Sequence, residues 1–161
     1  MKPRSSTIEH PGIRDLLSYR LHVVANLLSR GAELRYRREF GVSLWEWRTV
    51  ALLGGANGAQ SLNELAHAAG IDKSQMSRVV SGLAARRLVL RAIDANDARG
   101  VQLTLTRAGL KLYDGLIRAA ADRNDAFLDC LSAKERAAFD EALDKLAARA
   151  RAFIERERSA Q

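Results

Sequence analysis

The apolar positions in the first third of the chain follow a helical period. From position 13 to position 34 they recur at spacings of three, four and seven, at Ile13, Leu16, Leu17, Leu21, Val24, Leu27, Leu28 and Leu34. This spacing places them on one face of a long helix, and Pro11 is suited to the first helical position. The helix is expected to end after Phe40, because Gly41 readily adopts the left-handed conformation that closes a helix.

Four polar motifs predict the starts of further helices. In each, a Ser or Asp side chain can accept a hydrogen bond from the third amide of a helix, while the acidic or amide side chain at that third position reaches back to the cap. The pairs are Ser43 with Glu46, Ser61 with Glu64, Asp72 with Gln75, and Ser132 with Glu135. Thr106 can cap one more helix, running to about position 131, and the last helix is expected over 133–158.

Two segments change to an extended pattern. Residues 88–93 and 101–105 favour strands, and the second alternates apolar and polar side chains. The segment between them, 94–100, is dense in turn formers, which predicts a β-hairpin with a seven-residue tip. The glycine-rich stretch 54–58 is predicted to be a turn, since it lacks the strand and the GK[ST] ending of a phosphate loop. The expected fold is mostly helical with one small β-hairpin.

The segment 61–88 has the pattern of a helix-turn-helix, in which a short helix and a second helix bury their apolar faces against each other across a tight turn. The inward positions are Leu65, Ala66, Ala69, Ile71, Met76, Val79, Val80 and Leu83, and Gly70 permits the turn. The opposite face of the second helix begins with Lys73, Ser74, Gln75, Ser77 and Arg78. In this motif those turns enter the major groove, where Gln can pair with adenine and Arg with guanine. A plain helical hairpin would need no such polar end.

The predicted hairpin directly follows the second helix, which is the arrangement of a winged helix. Arg99 at the tip is placed to enter a minor groove, whose negative potential attracts a guanidinium. Asp97 can hold the Arg99 side chain extended. The alternative is a solvated turn, whose surface ion pair would contribute less than about 1 kcal/mol.

Composition and charge limit the function classes. The 161 residues, 47% of them hydrophobic and 28% charged, predict one globular domain rather than a disordered chain. The net charge of +7 favours a polyanionic partner. Residues 1–59 carry 9 basic and 5 acidic side chains, residues 60–111 carry 8 and 4, and residues 112–161 carry 9 and 10. The basic excess therefore coincides with the predicted helix-turn-helix and the region before it.

Other chemistry is expected to be absent. Cys130 is alone, which excludes an internal disulfide and a multi-cysteine metal site; it is predicted to be a buried, inert thiol in a cytoplasmic protein. No apolar stretch approaches the length of a membrane span or a secretion signal, so no membrane partner is expected. His10, His22 and His67 lack metal-site spacing, and no nucleophile–base signature is present. No enzyme activity, metal or cofactor is predicted, and His10 and His67 are expected at the surface.

Several segments together resemble the MarR family of bacterial transcriptional regulators. They are LWEWRTVALL at 44–53, LAHAAGIDKSQMSR at 65–78, RLV at 87–89, DANDAR at 94–99 and LTLTRAG at 103–109. The resemblance covers about 13–155 and is most specific in the motifs D-x-x-D-x-R and L-x-L-T-x-x-G. It implies a homodimer that binds a pseudo-palindromic site on double-stranded DNA, with dimerisation helices at about 13–40 and 107–158 and a DNA-binding lobe at 43–105. At Arg87 the family usually has glycine.

The resemblance also implies roles for residues. Family members are usually repressors released by small phenolic or carboxylate ligands. Carried over by position, the resemblance implies that Ser74, Gln75, Ser77 and Arg78 face the major groove and that Arg99 enters the minor groove, oriented by Asp97. Ser61 and Lys73 are further candidates for DNA binding. The candidate effector residues are Tyr19, His22, Trp47 and Arg48, whose aromatic surface, proton donor and guanidinium suit an aromatic acid or phenol.

Each effector candidate also has an ordinary structural explanation. Trp47 lies on the apolar face with Val50 and can belong to the core. Tyr19 and His22 can be polar groups of an interface, and Arg48 can pair with a glutamate. Trp45 is expected to be exposed. Two other functions remain open: a winged-helix module that meets protein or RNA, and a nucleoid-type protein that binds DNA with little sequence preference.

Overall fold

The computed structural model describes residues 12–93 and 101–160. The chain divides into two compact units, residues 1–116 and 117–161. In the described part the elements are the helices α1 (Leu17–Phe40), α2 (Leu44–Gly55), α3 (Leu62–Ala69), α4 (Lys73–Ala85), α5 (Arg107–Leu128) and α6 (Ala133–Ser159), with the strands β1 (Gln60–Ser61), β2 (Val89–Ile93) and β3 (Val101–Leu105). The predicted order of helices is confirmed.

The first helix begins later than its apolar pattern predicts. Residues Ile13–Asp15 form a separate 3-10 turn, closed by a hydrogen bond of 3.1 Å from the Gly12 amide to Asp15 Oδ2. Leu16 is extended, with ψ of 133°, and α1 starts at Leu17. Its predicted end is confirmed, because Gly41 lies in the left-handed region with φ of 63°.

The four predicted helix starts are confirmed by cap hydrogen bonds. The hydroxyls of Ser43, Ser61 and Ser132 accept from the amides of Glu46, Glu64 and Glu135, and in all three pairs the glutamate carboxylate accepts from the serine amide in return. Asp72 Oδ1 accepts from the Gln75 amide at 2.8 Å. These contacts span three residues, so a local motif is enough to specify them.

The predicted hairpin is one part of a three-stranded antiparallel sheet with the order β1-β3-β2. Val89 pairs with Leu105 between β2 and β3, and Gln60 pairs with Leu103 between β1 and β3. The sequence prediction of a hairpin alone was incomplete, because β1 has two residues and a pattern that short carries no signal. The predicted hairpin tip, 94–100, lies outside the described residues.

The glycine-rich stretch is helical in its first part. The prediction of a turn over 54–58 was wrong for Gly54 and Gly55, which form the end of α2, and right for the bend that follows at 56–58. Glycine disfavours a helix but does not prevent one when tertiary contacts support it. In α2 that contact is with Tyr113, since a β-carbon on Gly54 would lie 2.4 Å from the tyrosine Cδ2.

The core of the first unit lies among α1, α2, the helix-turn-helix and the sheet. Its largest fully buried side chains are Tyr36, Leu65, Met76, Leu83, Leu103, Leu116, Val42, Val50, Val80 and Thr49. Thr49 is the one buried polar residue among the described positions, and its hydroxyl donates to the Trp45 carbonyl oxygen at 2.8 Å. This core fixes the helix-turn-helix on α2.

The second unit contains the end of α5, a turn and α6. Arg136 bridges the turn, because its Nη2 lies 3.2 Å from Asp129 Oδ1 and its Nε donates to the Leu131 carbonyl oxygen at 3.2 Å. Cys130 lies in this turn and is exposed, so the prediction of a buried thiol was wrong. The turn leaves its side chain outside any packed face. No helix in the described ranges is long and apolar enough to cross a membrane.

Candidate nucleic-acid interface

The helix-turn-helix is built by local chemistry at the turn. Gly70 ends α3 in the left-handed region with φ of 68°, and the Ile71 amide donates to the Ala66 carbonyl oxygen at 3.1 Å. Asp72 then caps α4. Leu65 and Ala66 of α3 are buried, and so are Met76, Val80 and Leu83 of α4. Five of the eight predicted inward positions are therefore confirmed, and the other three, Ala69, Ile71 and Val79, are half-buried.

The first two turns of α4 carry the polar side chains that the sequence predicts for DNA. Lys73, Ser74 and Arg78 are exposed, while Gln75 and Ser77 are half-buried. All five lie in the first two turns of α4, so one helix end carries them together. Ser61 lies at the start of α3, where its hydroxyl accepts from the Glu64 amide at 3.2 Å; a hydroxyl retains a proton to donate.

The cap of α4 is also an electrostatic feature of this surface. The pKa of the Asp72 carboxyl lies below its ordinary value of 3.8, mainly because the Gln75 amide donates to it. Desolvation of the carboxyl opposes this effect, while the Ser74 amide and the charge of Arg78 lower the pKa further. Asp72 is therefore ionised at neutral pH, where a negative charge at a helix N-terminus is favourable.

The structure adds Arg91 to this surface. Arg91 Nη2 donates to Ser81 Oγ at 3.0 Å, and the Ser81 hydroxyl donates to the Ser77 carbonyl oxygen at 2.8 Å. The Arg91 side chain thus reaches from β2 to the exposed side of α4. A shallow hollow of about 160 Å³ lies between them, lined by Leu62, Ser77, Arg91, Val101 and Leu103. The only sequence signal was a basic residue inside the first strand after the recognition helix.

The entry into the sheet contains the predicted departure from the family pattern. Arg87 has φ of 58°, the only positive φ at a residue other than glycine in the described part of the chain. Its amide donates to the Ala84 carbonyl oxygen at 2.9 Å, and the Leu88 amide donates to Leu83 at 3.0 Å. The left-handed residue lets the chain leave α4 and enter β2 at once. Asp97 and Arg99 lie outside the described residues.

Three of the four effector candidates line hollows, two of them one hollow and the third another. Trp47 and Arg48 line one of about 320 Å³, together with Ala51, Leu52, Ala68 and Ala69. Tyr19 lines another of about 340 Å³ on α1, and His22 Nε2 lies 2.8 Å from Asn26 Nδ2. Tyr36 packs on Trp47 with ring centroids 5.1 Å apart. Tyr19 precedes Tyr36 by about 25 Å along α1, given the rise of a helix. The structure of one chain does not bring all four together.

The two tryptophans of α2 were expected in different environments, Trp45 exposed and Trp47 possible in the core. Trp45 is half-buried rather than exposed, because the Arg48 guanidinium lies over its ring, 4.8 Å from the centroid. Trp47 is half-buried against Tyr36. Arg48 also donates to Ser29 Oγ at 3.4 Å. These contacts orient a guanidinium at the edge of the hollow beside α2. His67 is exposed, as predicted.

Parts of this sequence are similar to known proteins. Residues 40–100 match the sequence profile of the MarR family. The HTH-type transcriptional regulator FarR of Neisseria gonorrhoeae is 31% identical over 102 residues, which are 63% of this chain and 69% of that protein. The chain belongs to the MarR family. The HTH-type transcriptional repressor NicR of Pseudomonas putida is 34% identical over 82 residues, 51% of this chain and 52% of that protein.

The MarR fold is also found in the solved structures that this chain resembles. One is MepR of Staphylococcus aureus in a MepR–DNA complex, which has a TM-score of 0.75 and 20% identity and covers 83% of this chain and 97% of that one. At that identity the likeness concerns the fold. The predictions of a mostly helical winged-helix fold and of the MarR family are confirmed. As a MarR-family protein, the chain is a DNA-binding transcriptional regulator and not an enzyme.

Proposed function

We propose that this MarR-family regulator is a homodimeric repressor that acts in the cytoplasm on a pseudo-palindromic operator and is released by a small aromatic acid. The observation that carries the operator proposal is the polar start of α4, where Lys73, Ser74 and Arg78 are exposed on a helix whose other face is buried. Helix-turn-helix proteins place this part of the second helix in the major groove.

Each polar side chain is assigned a contact by its hydrogen-bonding groups. Gln75 and Arg78 have two-pronged donors and acceptors that match adenine and guanine edges, and Ser74 and Ser77 reach either base. Lys73 and Ser61 are assigned to phosphates on either side of the groove. Arg91 joins them as a phosphate contact, because its guanidinium already lies beside Ser81 on the exposed side of α4. Arg99 is assigned to the minor groove, with Asp97 orienting it.

The operator proposal is tested by fluorescence anisotropy with the duplex upstream of the chain's own reading frame, against a scrambled duplex of equal length. We expect tighter binding of the upstream duplex, by about 10³-fold or more at physiological salt. Equal affinity for both duplexes would favour a nucleoid-type binder. An absence of binding to either duplex at every salt concentration would favour an interaction module and would overturn the proposal.

The homodimer proposal rests on the apolar stripe of α6. Phe139, Leu143, Leu146 and Phe153, with Ala150 between the last two, repeat at alternating steps of four and three, the pattern of a helix seam. The four large side chains are more than one-third exposed. Residues 134–144 carry 2 basic and 4 acidic side chains and residues 145–158 carry 5 and 2, so antiparallel copies of α6 would place opposite charges together. The apolar stripe of α1, also exposed, is assigned to the same dimer.

The dimer is tested by sedimentation of the full chain. We expect twice the mass of one chain for the unmodified protein and for Ala148→Glu, which places a charge on the opposite side of α6. Leu143→Glu places the same charge in the seam and should yield monomers, since a charge in an apolar interface is strongly unfavourable. A dimer in the Leu143→Glu protein would contradict the assignment of this seam. The same dimer would make α1, α5 and α6 the dimerisation helices and 43–105 the DNA-binding lobe.

The effector site is assigned to the hollow beside α2. Trp47 supplies an aromatic wall and Arg48 a guanidinium at its edge, while Ala51 and Leu52 are apolar. A guanidinium binds a carboxylate through two parallel hydrogen bonds, so an aromatic acid fits this lining. Along α1, Tyr19 lies about 15 Å and His22 about 10 Å from Ser29, the residue that Arg48 contacts. They are proposed to contribute only if a second chain brings its α1 to the hollow.

Benzoate and salicylate serve as probes of the effector site. At 100 times its dissociation constant, a ligand stabilises the folded state by about 2.7 kcal/mol, which is measurable as a shift of the unfolding temperature. We expect the same compound to weaken operator binding, because a ligand shifts the protein toward the state that it prefers. Arg48→Gln should abolish both responses and keep operator affinity in the absence of ligand. Benzylamine, which lacks the carboxylate, is the control.

A further inference from the structure

We propose that the ion pair between Glu46 and Arg86 positions the recognition helix α4 for specific DNA binding. Arg86 Nη1 lies 3.1 Å from Glu46 Oε1, and the two residues are forty positions apart in the chain. Glu46 belongs to the first turn of α2, and Arg86 directly follows Ala85, the last residue of α4. The proposal rests on the operator binding proposed above and assigns a role to two residues that touch no base.

The orientation of the Glu46 carboxylate is set by a contact other than the one with Arg86. Its other oxygen, Oε2, accepts from the Ser43 amide at 2.8 Å, so the α2 cap holds the carboxylate in place. The Glu46 side chain is 19% exposed and the Arg86 side chain 42%. A β-carbon on Gly82 would lie 3.8 Å from Glu46 Oε1, so the carboxylate lies against the last turn of α4. The side chain of Arg86 therefore meets a preorganised acceptor.

The ion pair supplies a direction that apolar packing lacks. Met76, Val80 and Leu83 bury the inner face of α4, but apolar burial is non-directional and permits small tilts. Ser74 lies about 18 Å from Arg86 along α4, so a tilt of about 5° at the Arg86 end moves the Ser74 end by about 1.5 Å. Hydrogen-bond lengths vary by only about 0.5 Å, so a displacement of that size breaks the contact. An anchor at Arg86 therefore decides whether the other end reaches the bases.

The same turn of α2 is joined to α1. Glu33 of α1 accepts from the Leu44 amide through Oε2 and pairs with Arg37 through Oε1. The first turn of α2 thus donates a hydrogen bond to the Glu33 carboxylate of α1, and its own Glu46 carboxylate pairs with Arg86. This second contact holds the first turn of α2 in place, so Glu46 does not move with α4. A contact that positions α4 requires such a fixed partner.

The deciding variant is Glu46→Gln. Glutamine keeps an oxygen for the Ser43 amide, so the α2 cap survives, but the charge that holds Arg86 is lost. We expect the ratio of operator affinity to scrambled-duplex affinity to fall by about fivefold, the upper range for a partly exposed ion pair. Affinity for the scrambled duplex should stay equal or rise, because the variant carries one negative charge fewer. Partial unfolding would lower both affinities equally.

Matched variants separate positioning from direct contact. Arg86→Ala should lower the ratio of operator affinity to scrambled-duplex affinity. Arg86→Lys, which can still pair with Glu46, should keep most of that ratio. The double variant Glu46→Gln/Arg86→Ala should be no worse than Arg86→Ala, since both substitutions remove one interaction.

Two results would overturn the proposal and differ from a failure of the operator proposal. If Glu46→Gln keeps the ratio of operator affinity to scrambled-duplex affinity of the unmodified protein, Glu46 does not position α4. If Arg86→Ala lowers the salt dependence by about one counterion, Arg86 contacts a phosphate directly. If the unmodified protein itself does not distinguish the operator from the scrambled duplex, the operator proposal fails first.

Discussion

A β-carbon on Gly54 would lie 2.4 Å from Cδ2 of Tyr113, closer than carbon atoms approach without a shift of one of them. Gly54 is in the last turn of α2, where alanine would be favoured over glycine by about 0.5–1 kcal/mol if only the helix mattered. The tyrosine ring on α5 occupies the space instead. The next residue, Gly55, has no heavy atom within 4 Å of the position of its β-carbon.

The two neighbouring glycines give the first prediction. Gly54→Ala should lower the free energy of unfolding by about 1–3 kcal/mol, the usual effect of overpacking a filled site. Gly55→Ala, one position along the same helix, should leave it unchanged or raise it by up to about 1 kcal/mol. Urea denaturation of both variants measures the difference. Equal midpoints for the two variants would contradict the role of Tyr113.

The second prediction concerns the left-handed residue at the end of α4. Arg87 has φ of 58°, which is strained for any residue with a β-carbon, whereas glycine adopts it without strain. Arg87→Gly should raise the free energy of unfolding by about 0.5–1 kcal/mol, because relief of strain exceeds the extra freedom of the unfolded glycine. Its neighbour Arg86, with φ of −83°, is the control, and Arg86→Gly should be destabilising. A fall in stability of Arg87→Gly would show that the side chain matters more than the strain.

The third prediction is a pH dependence at the cap of α4. The pKa of Asp72 in the folded chain is lowered from its ordinary 3.8, mainly by the hydrogen bond from the Gln75 amide. A lowered folded pKa stabilises the fold above the ordinary value, and this stability is lost as the pH falls through the lowered pKa. The pKa values of Glu64 and Glu135 are lowered from 4.5 by their serine caps and add to the same trend. Stability should therefore decrease as the pH falls below about 4.5.

Two substitutions at Asp72 isolate its share. Asparagine caps a helix about as well as aspartate but does not titrate, so Asp72→Asn should have a smaller difference in unfolding free energy between pH 6 and pH 3. Asp72→Ala loses the cap and should be less stable than Asp72→Asn at both pH values. Urea denaturation of each variant at pH 6 and at pH 3 measures these differences. An unchanged difference in Asp72→Asn would mean that this carboxylate does not contribute.

The fourth prediction distinguishes base contacts from phosphate contacts in the proposed interface. Arg78→Ala should reduce discrimination between operator and scrambled duplex by about 1–3 kcal/mol, because a base edge loses its partner. Arg91→Ala and Arg99→Ala should weaken binding to all sequences more evenly, and Arg91→Ala should reduce the salt slope by about one. Arg151→Ala, on α6, is the control and should change neither quantity. Unaltered discrimination in Arg78→Ala would reject its place in the major groove.

The sequence by itself determined the elements whose causes are local. The serine and aspartate caps join residues three apart, and the left-handed glycines at 41 and 70 close helices by their own conformational freedom. The period of the apolar residues placed Leu65, Met76 and Val80 inside and Lys73 and Arg78 outside. The glycine that the family usually has at position 87 indicated a turn position that glycine favours, and Arg87 has a positive φ there.

Only the tertiary structure decided the features that depend on contacts between residues far apart in the sequence. Strand β1 exists because β3 pairs with it, and Gly54 has no side chain where the Tyr113 ring occupies the space. The contacts from Arg86 to Glu46 and from Arg91 to Ser81 join separate elements, and they depend on how those elements pack. A periodic pattern determines which side of a helix faces inward. It does not determine which neighbour that helix meets, because burial is non-directional and the partner is chosen by the shape of the whole core.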